Sequence, residues 1–207
     1  MVREKLSWKE AWAKNSFRIQ LLATILLIVL IISLMPHFFL FIQERTGRVL
    51  YDPLLQLLPP RNLSPLTFTM IYSAIIVAII SFSFYPQVLL RALQSYCLLT
   101  VARVVCNWLV PLNDPPGLIL LTDPFVDAIG YGGKIITKDL FFSGHTSTMF
   151  LLFLAAPNRP LKIFFLFITI GVATCLLIQH VHYTVDVVVA PVFAWFFYKI
   201  CFSVKKI

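Results

Sequence analysis

Long apolar runs recur along the chain, separated by short stretches where proline, glycine and charge collect. A helix needs about 20 mostly apolar residues to cross a hydrocarbon core. The runs predict six spans, at about 21–42, 66–84, 88–110, 143–156, 163–178 and 183–204. Pro36 is expected to kink the last third of the first span. The fourth has only residues 149–156 as uninterrupted apolar sequence, too few to cross alone. The hydroxyl-rich stretch 143–148 must then lie within the membrane profile, with His145 at or just below headgroup level. A β-barrel is excluded, because its strands would show about 10 residues of alternating polarity.

The connections carry their own signals. Pro53, Pro59, Pro60 and Pro65 discourage helix over 43–65. Tyr85-Pro86-Gln87 reads as a tight turn, and Asn158-Arg159-Pro160-Leu161-Lys162 as a basic one. Residues 111–142 form the longest polar stretch, broken by Pro111, Pro115, Pro116, Gly117, Pro124 and the glycines of 130–133. Its apolar patches at 118–121 and 125–129 suit a lid or entrance, with a passive linker as the alternative.

Composition agrees with a membrane solvent. Hydrophobic residues make up 59% of the chain and charged residues 13%, against the ~25% charged residues of a soluble domain. Mean hydropathy is +0.88. The net charge of +8 comes from scattered residues at segment ends, which argues for membrane orientation and against a nucleic-acid partner. Eleven basic residues fall on the side of the termini: Arg3, Lys5, Lys9, Lys14, Arg18, Arg91, Arg159, Lys162, Lys199, Lys205 and Lys206. Five fall on the other: Arg45, Arg48, Arg61, Lys134 and Lys138. The termini are therefore expected in the cytoplasm, with both His145 and His182 facing the exoplasmic surface.

Residues 1–20 read as an amphipathic cytoplasmic segment, with Trp8 and Trp12 on one helix face and the lysines off it. A solvated basic leader is the bland alternative. The first apolar run is too long for a cleaved signal peptide. Residues 21–207 are expected to form one six-helix catalytic domain. His37 reads as an interfacial anchor, and Cys97, Cys106, Cys175 and Cys201 as packing residues in apolar runs.

The candidate chemistry sits at the mouths of two late spans. Ser143-Gly144-His145-Thr146 opens one, and His182-Tyr183-Thr184-Val185-Asp186 opens the other. His182 and Asp186 lie four residues apart, so on a helix they share a face. A carboxylate on one ring nitrogen fixes the tautomer and leaves the other nitrogen to attack. With His145 on a separate span as general acid, the pair suits in-line transfer at phosphorus. Free N–H groups at the Ser143-Gly144 turn favour an anion, and Gly144 allows close approach. Arg103, deep in the third span, is costly there unless it faces a wet cavity or a carboxylate partner. It could offset phosphate charge. His180 reads as a structural hydrogen-bonding residue. A metal bound by His145, His182 and Asp186 is the alternative, though no Glu or Cys completes a first shell.

Two stretches carry a family resemblance. Asp139-Leu140-Phe141-Phe142-Ser143-Gly144-His145-Thr146 resembles the Asp-x-x-x-Ser-Gly-His-Thr motif of sphingomyelin synthases, and His182-Tyr183-Thr184-Val185-Asp186-Val187 resembles their His-Tyr-Thr-x-Asp-Val motif. Arg91 and Arg103 are similar in placement to the arginines of that family's third helix. The resemblance covers about 91–198, and the synthases belong to the wider type 2 phosphatidic acid phosphatase superfamily of metal-independent lipid phosphotransferases. It implies an all-α, six-transmembrane-helix bundle of that type with an exoplasmic-facing active site. It also implies His182 as nucleophile, Asp186 as its orienter, and His145 as the acid that protonates the leaving alcohol and then deprotonates the acceptor. Arg103, Asp139, Ser143, Gly144, Thr146 and Tyr183 are the implied substrate-binding residues, and neither cofactor nor metal is expected.

Departures bear on substrate. Thr137-Lys138-Asp139 stands where the synthases carry Cys-Gly-Asp. Cys175 and Leu176 stand where the phosphatases of the superfamily carry Ser-Arg, and their Lys-x6-Arg-Pro motif is absent. A phosphodiester is thus expected, moved as a phospho-headgroup from a glycerophospholipid donor to ceramide or diacylglycerol, with phospholipase C-like hydrolysis when no acceptor is present. No adjoining protein-interaction domain is visible, so a bare catalytic core is expected, and homo-oligomerisation stays open. The rival readings are a lipid phosphate phosphatase acting on phosphatidate or an isoprenoid pyrophosphate, and a non-enzymatic lipid-binding or transport protein.

Overall fold

The computed structural model describes residues 6–123 and 136–203. All regular structure among the described residues is helical, apart from a single bridge between Arg48 and Leu112. We number the helices α1 (Trp8–Ala13), α2 (Asn15–Glu44), α3 (Pro53–Leu57), α4 (Ser64–Ser83), α5 (Pro86–Leu109), α6 (Gly144–Ala155), α7 (Arg159–Ile178) and α8 (Thr184–Ser203). Five of them, α2, α4, α5, α7 and α8, are long and apolar enough to cross a membrane by length and composition. This is a multi-pass helical architecture. The expected fourth span is α6, which at 12 residues is about 18 Å long, well short of a bilayer.

Two sequence-based boundaries move outward for one physical reason. Proline breaks a helix interior but suits its first turn, where its missing N–H is not needed. Pro86 therefore begins α5 and Pro160 is the second residue of α7, so both stretches read as turns are first turns of helices. Asn158 caps α7 by accepting from Leu161 N–H at 3.0 Å. In the 43–65 connection, Pro53 likewise opens the short α3, capped by Asp52. At the other end of the chain, a Ser7–Glu10 capping box starts α1. Trp8 and Trp12 are both largely exposed, while Ala11 packs with Phe17, Leu21 and Leu90. Pro36 lies inside the continuous α2.

The helices run alternately. Trp8 donates to the Ser83 carbonyl and Arg91 to the Cys201 carbonyl, which gathers α1, the end of α4, the start of α5 and the end of α8 at one end of the bundle. The starts of α4, α6 and α8 meet the ends of α2, α5 and α7 at the other, called here the histidine end. Helix α6 is central, packed against α5, α7 and α8. Its Met149 and Ala155 join Phe68, Phe82, Val88, Phe165 and Val172 in the main core, and its Leu151 packs with Phe142, Leu99, Ala190 and Ala194. Gly171 lets α7 close on α4, since a Cβ there would lie 2.8 Å from Met70 Sδ.

Candidate active site

At the histidine end, α6 and α8 begin side by side. Ser143 N–H donates to the Asp186 backbone carbonyl at 3.1 Å, which ties the two starts together. The Ser143 hydroxyl accepts from Thr146 N–H at 3.4 Å and donates to Thr146 Oγ1 at 3.1 Å, capping α6. Both residues are buried. Asp186 is fully buried in the first turn of α8 and accepts from Tyr183 N–H at 3.0 Å. Its Oδ2 lies 3.6 Å from His182 Nδ1, on a ring that is itself buried.

Arg103 reaches the same place from α5. It pairs with Asp139, whose other oxygen accepts from Asn107 at 2.7 Å. Asn107 also accepts from Leu140 N–H at 3.1 Å, so it fixes the approach to α6. The guanidinium lies directly over Gly144, where a Cβ would clash with it. Phe39 of α2 lies 5.7 Å from Arg103 Cζ on another side. His145 is half-buried, edge-on to Phe68 with ring centroids 6.1 Å apart, and within electrostatic reach of Arg103, His182 and Asp123.

Four buried polar atoms in this cluster have no hydrogen-bond partner: Arg103 Nε, His145 Nδ1, His182 Nδ1 and Asp186 Oδ1. Buried polar groups are nearly always satisfied, so such a group concentrated at one spot calls for an explanation. Two helix N-termini open beside it, and such termini favour anions. Among the described residues no group of three or more His, Cys, Asp or Glu has an arrangement that could hold a metal ion.

Not every expected site residue faces this space. Tyr183, read as substrate-binding, is fully buried with Leu55, Leu112 and Leu140. Its hydroxyl donates to the Asn113 carbonyl at 2.9 Å and accepts from Leu50 N–H at 3.1 Å, so its polar end is already used inside the fold. Asp139 faces Arg103 and Asn107, which makes it a carboxylate partner for the cation. Thr137 and Lys138 are held by Gln43, Asp114 and the Arg45 carbonyl. His180 behaves as a structural residue: its ring nitrogens lie 2.8 Å and 2.9 Å from the Pro116 and Leu58 carbonyls. The expected lid or entrance lies partly outside the described residues, including Pro124, 125–129 and the glycines of 130–133.

Sequence reasoning missed Asn107 and Asp52. The first could have been found from its place four residues after Arg103 on one helix. The second accepts from Thr184 N–H at 2.6 Å and from the Thr184 hydroxyl at 2.9 Å, at the first residue of α8.

The architecture and the site together define a class: a helical membrane protein with two histidines, a carboxylate and an arginine gathered where two helices begin. Residues 138–203 match the family model described as PAP2 superfamily C-terminal. The match supports PAP2 superfamily membership over the segment that holds His145, His182 and Asp186. No curated protein and no solved structure matches the chain.

Proposed function

We propose that the protein is a membrane lipid phosphotransferase that moves phosphocholine or phosphoethanolamine from a glycerophospholipid to ceramide or diacylglycerol. The reading is carried by the buried Arg103 Nε and His145 Nδ1, both without partners, beside the facing His182 and Asp186 at the starts of α6 and α8. A phosphate oxygen is the kind of acceptor that Arg103 Nε and an imidazole N–H lack. The superfamily match independently favours phosphoester chemistry.

The geometry supports a two-step transfer through His182. Asp186 faces His182 Nδ1, so Nε2 is the nitrogen that attacks phosphorus. The bond from phosphorus to the glycerol oxygen breaks, and His145, protonated, gives its proton to the departing alkoxide. Neutral His145 then takes the proton of the acceptor hydroxyl. That oxygen attacks phosphorus, the P–N bond breaks, and free His182 is regenerated. Arg103 and the N-termini of α6 and α8 stabilise charge on the other phosphate oxygens. Asp139 already offsets the charge of Arg103, so the seat suits a singly charged phosphodiester better than a doubly charged monoester.

The test is product analysis by mass spectrometry, with purified protein offered mixed phospholipids and ceramide. Headgroup-bearing ceramide, or free phosphocholine or phosphoethanolamine, supports the proposal. Inorganic phosphate from phosphatidate or an isoprenoid pyrophosphate would move the assignment to a lipid phosphate phosphatase. Full biological activity with both histidines changed to alanine would leave only a lipid-binding or transport role.

A further inference from the structure

Asp52 lies in the connection between α2 and α4, 132 residues from the helix it serves. One oxygen accepts from Leu54 N–H at 3.1 Å, Leu55 N–H at 3.3 Å and the Thr184 hydroxyl at 2.9 Å. The other accepts from Thr184 N–H at 2.6 Å. A single carboxylate thus caps two helices at once, α3 within its own segment and α8 from outside. The second cap falls one residue after Tyr183, whose N–H is taken by Asp186. The first two N–H groups at the start of α8 are therefore divided between two carboxylates, one on each side. Asp52 thus fixes the backbone of Thr184, two residues before Asp186 and two after His182.

We propose that Asp52 is a positioning residue of the transfer reaction, holding the first turn of α8 so that Asp186 keeps its carboxylate towards His182. The inference rests on the phosphohistidine reading and extends it to a residue that touches no reacting atom. The rest of the loop before α8 is pinned by other groups: His180 on Pro116 and Leu58, and Tyr183 on Asn113 and Leu50. Asp52 holds the helix start itself, alongside the bond from Ser143 N–H to the Asp186 carbonyl.

A double-mutant cycle on the full-length protein in detergent, with a nitrophenyl phosphodiester as substrate, separates positioning from folding. Asp52→Asn should lower kcat about tenfold with KM within twofold, a split expected when an interaction acts on the chemical step alone. Thr184→Val should do the same, and Thr184→Ser, which keeps the hydroxyl, should recover most of the rate. In an Asp186→Asn background, the further change Asp52→Asn should cost less than twofold, because the group it positions is already disabled. An equal fold-loss in both backgrounds would make Asp52 a fold-stabilising residue and overturn the proposal, as would unchanged kcat in the single variant. Wild-type turnover in Asp186→Asn, or an inert wild-type protein, would bring down the phosphohistidine reading and this inference with it.

Discussion

His182 meets Asp186 through Nδ1, and His145 stands against Phe68 with a buried, unpaired Nδ1, so the two imidazoles have different surroundings and should have separable roles. His182→Ala should abolish turnover of every substrate, since no phosphoenzyme can form. His145→Ala should lose about 10²–10⁴-fold on natural lipids, the usual contribution of general acid catalysis. A nitrophenyl phosphodiester, whose leaving group needs no proton, should restore His145→Ala in part and His182→Ala not at all. Rescue of the reverse variant would exchange the two assignments. Gly144 gives a second expectation, of the same sign for fold and activity. The methyl group of Gly144→Ala would displace the Arg103 guanidinium and weaken its pair with Asp139, so the melting temperature should fall. With Arg103 displaced, kcat should fall about 10²-fold, the scale of one lost charge-stabilising donor. At this scale the two motifs were legible as a pair, through the family resemblance that they carry together, since either alone is a weak signal. The buried placement of Tyr183 was not legible, because an aromatic hydroxyl beside a catalytic motif looks the same whether it points to ligand or core. Asp52 was invisible: its partner is far along the chain, and its only local mark is an Asp-Pro step.

The helices were legible as elements because lipid leaves the chain little choice. Every crossing backbone must satisfy itself, and the apolar run is the record of that constraint. Ends were less legible, since Pro86 and Pro160 punctuate a helix by opening it and not by breaking it. Helix α3 was missed altogether among prolines, although the same rule of capping residue followed by proline predicts it. Asp52 makes the joint between α3 and α8 sensitive to acid. Burial pushes its carboxyl upward, but the bonds from Thr184, Leu55 and Leu54 outweigh this and hold it below the usual carboxylate range. The stability it contributes is thus present above about pH 4, the unfolded value, and is lost as pH falls through the lower, folded value. Thermal melts between pH 7 and pH 2.5 should show that component in the wild type and lack it in Asp52→Ala. That variant should also be less stable at pH 7 by about 1 kcal/mol, a typical cap. Identical acid dependence in the two proteins would contradict this role for the carboxylate.

The bundle as a whole puts its site at one end, and from the asymmetry of basic residues we propose that this end faces the exoplasmic side. Tyr51 is well exposed at the histidine end. Tyr51→Cys, in a background lacking Cys97, Cys106, Cys175 and Cys201, should react with an impermeant thiol reagent in intact cells. Labelling only after permeabilisation would invert the topology. Two imidazoles and a carboxylate suffice for the proposed transfer, so turnover should survive EDTA. Loss in chelator, restored by zinc or manganese, would favour metal-assisted chemistry. The short central helix has a further consequence. With 12 residues against the 20 of α7 and α8, α6 is about 12 Å shorter than either neighbour. Its first turn lies level with the start of α8 but faces Phe68, more than a turn inside α4, and Arg103, more than a turn from the end of α5, so the histidine it carries is sunk below those two rims. A phosphorus atom drawn into that well would leave the aqueous layer behind. Under the proposed mechanism, the competition for the phosphoenzyme would then be decided by which hydroxyl can descend to it, a lipid alcohol already at that depth or a water molecule that must follow from above.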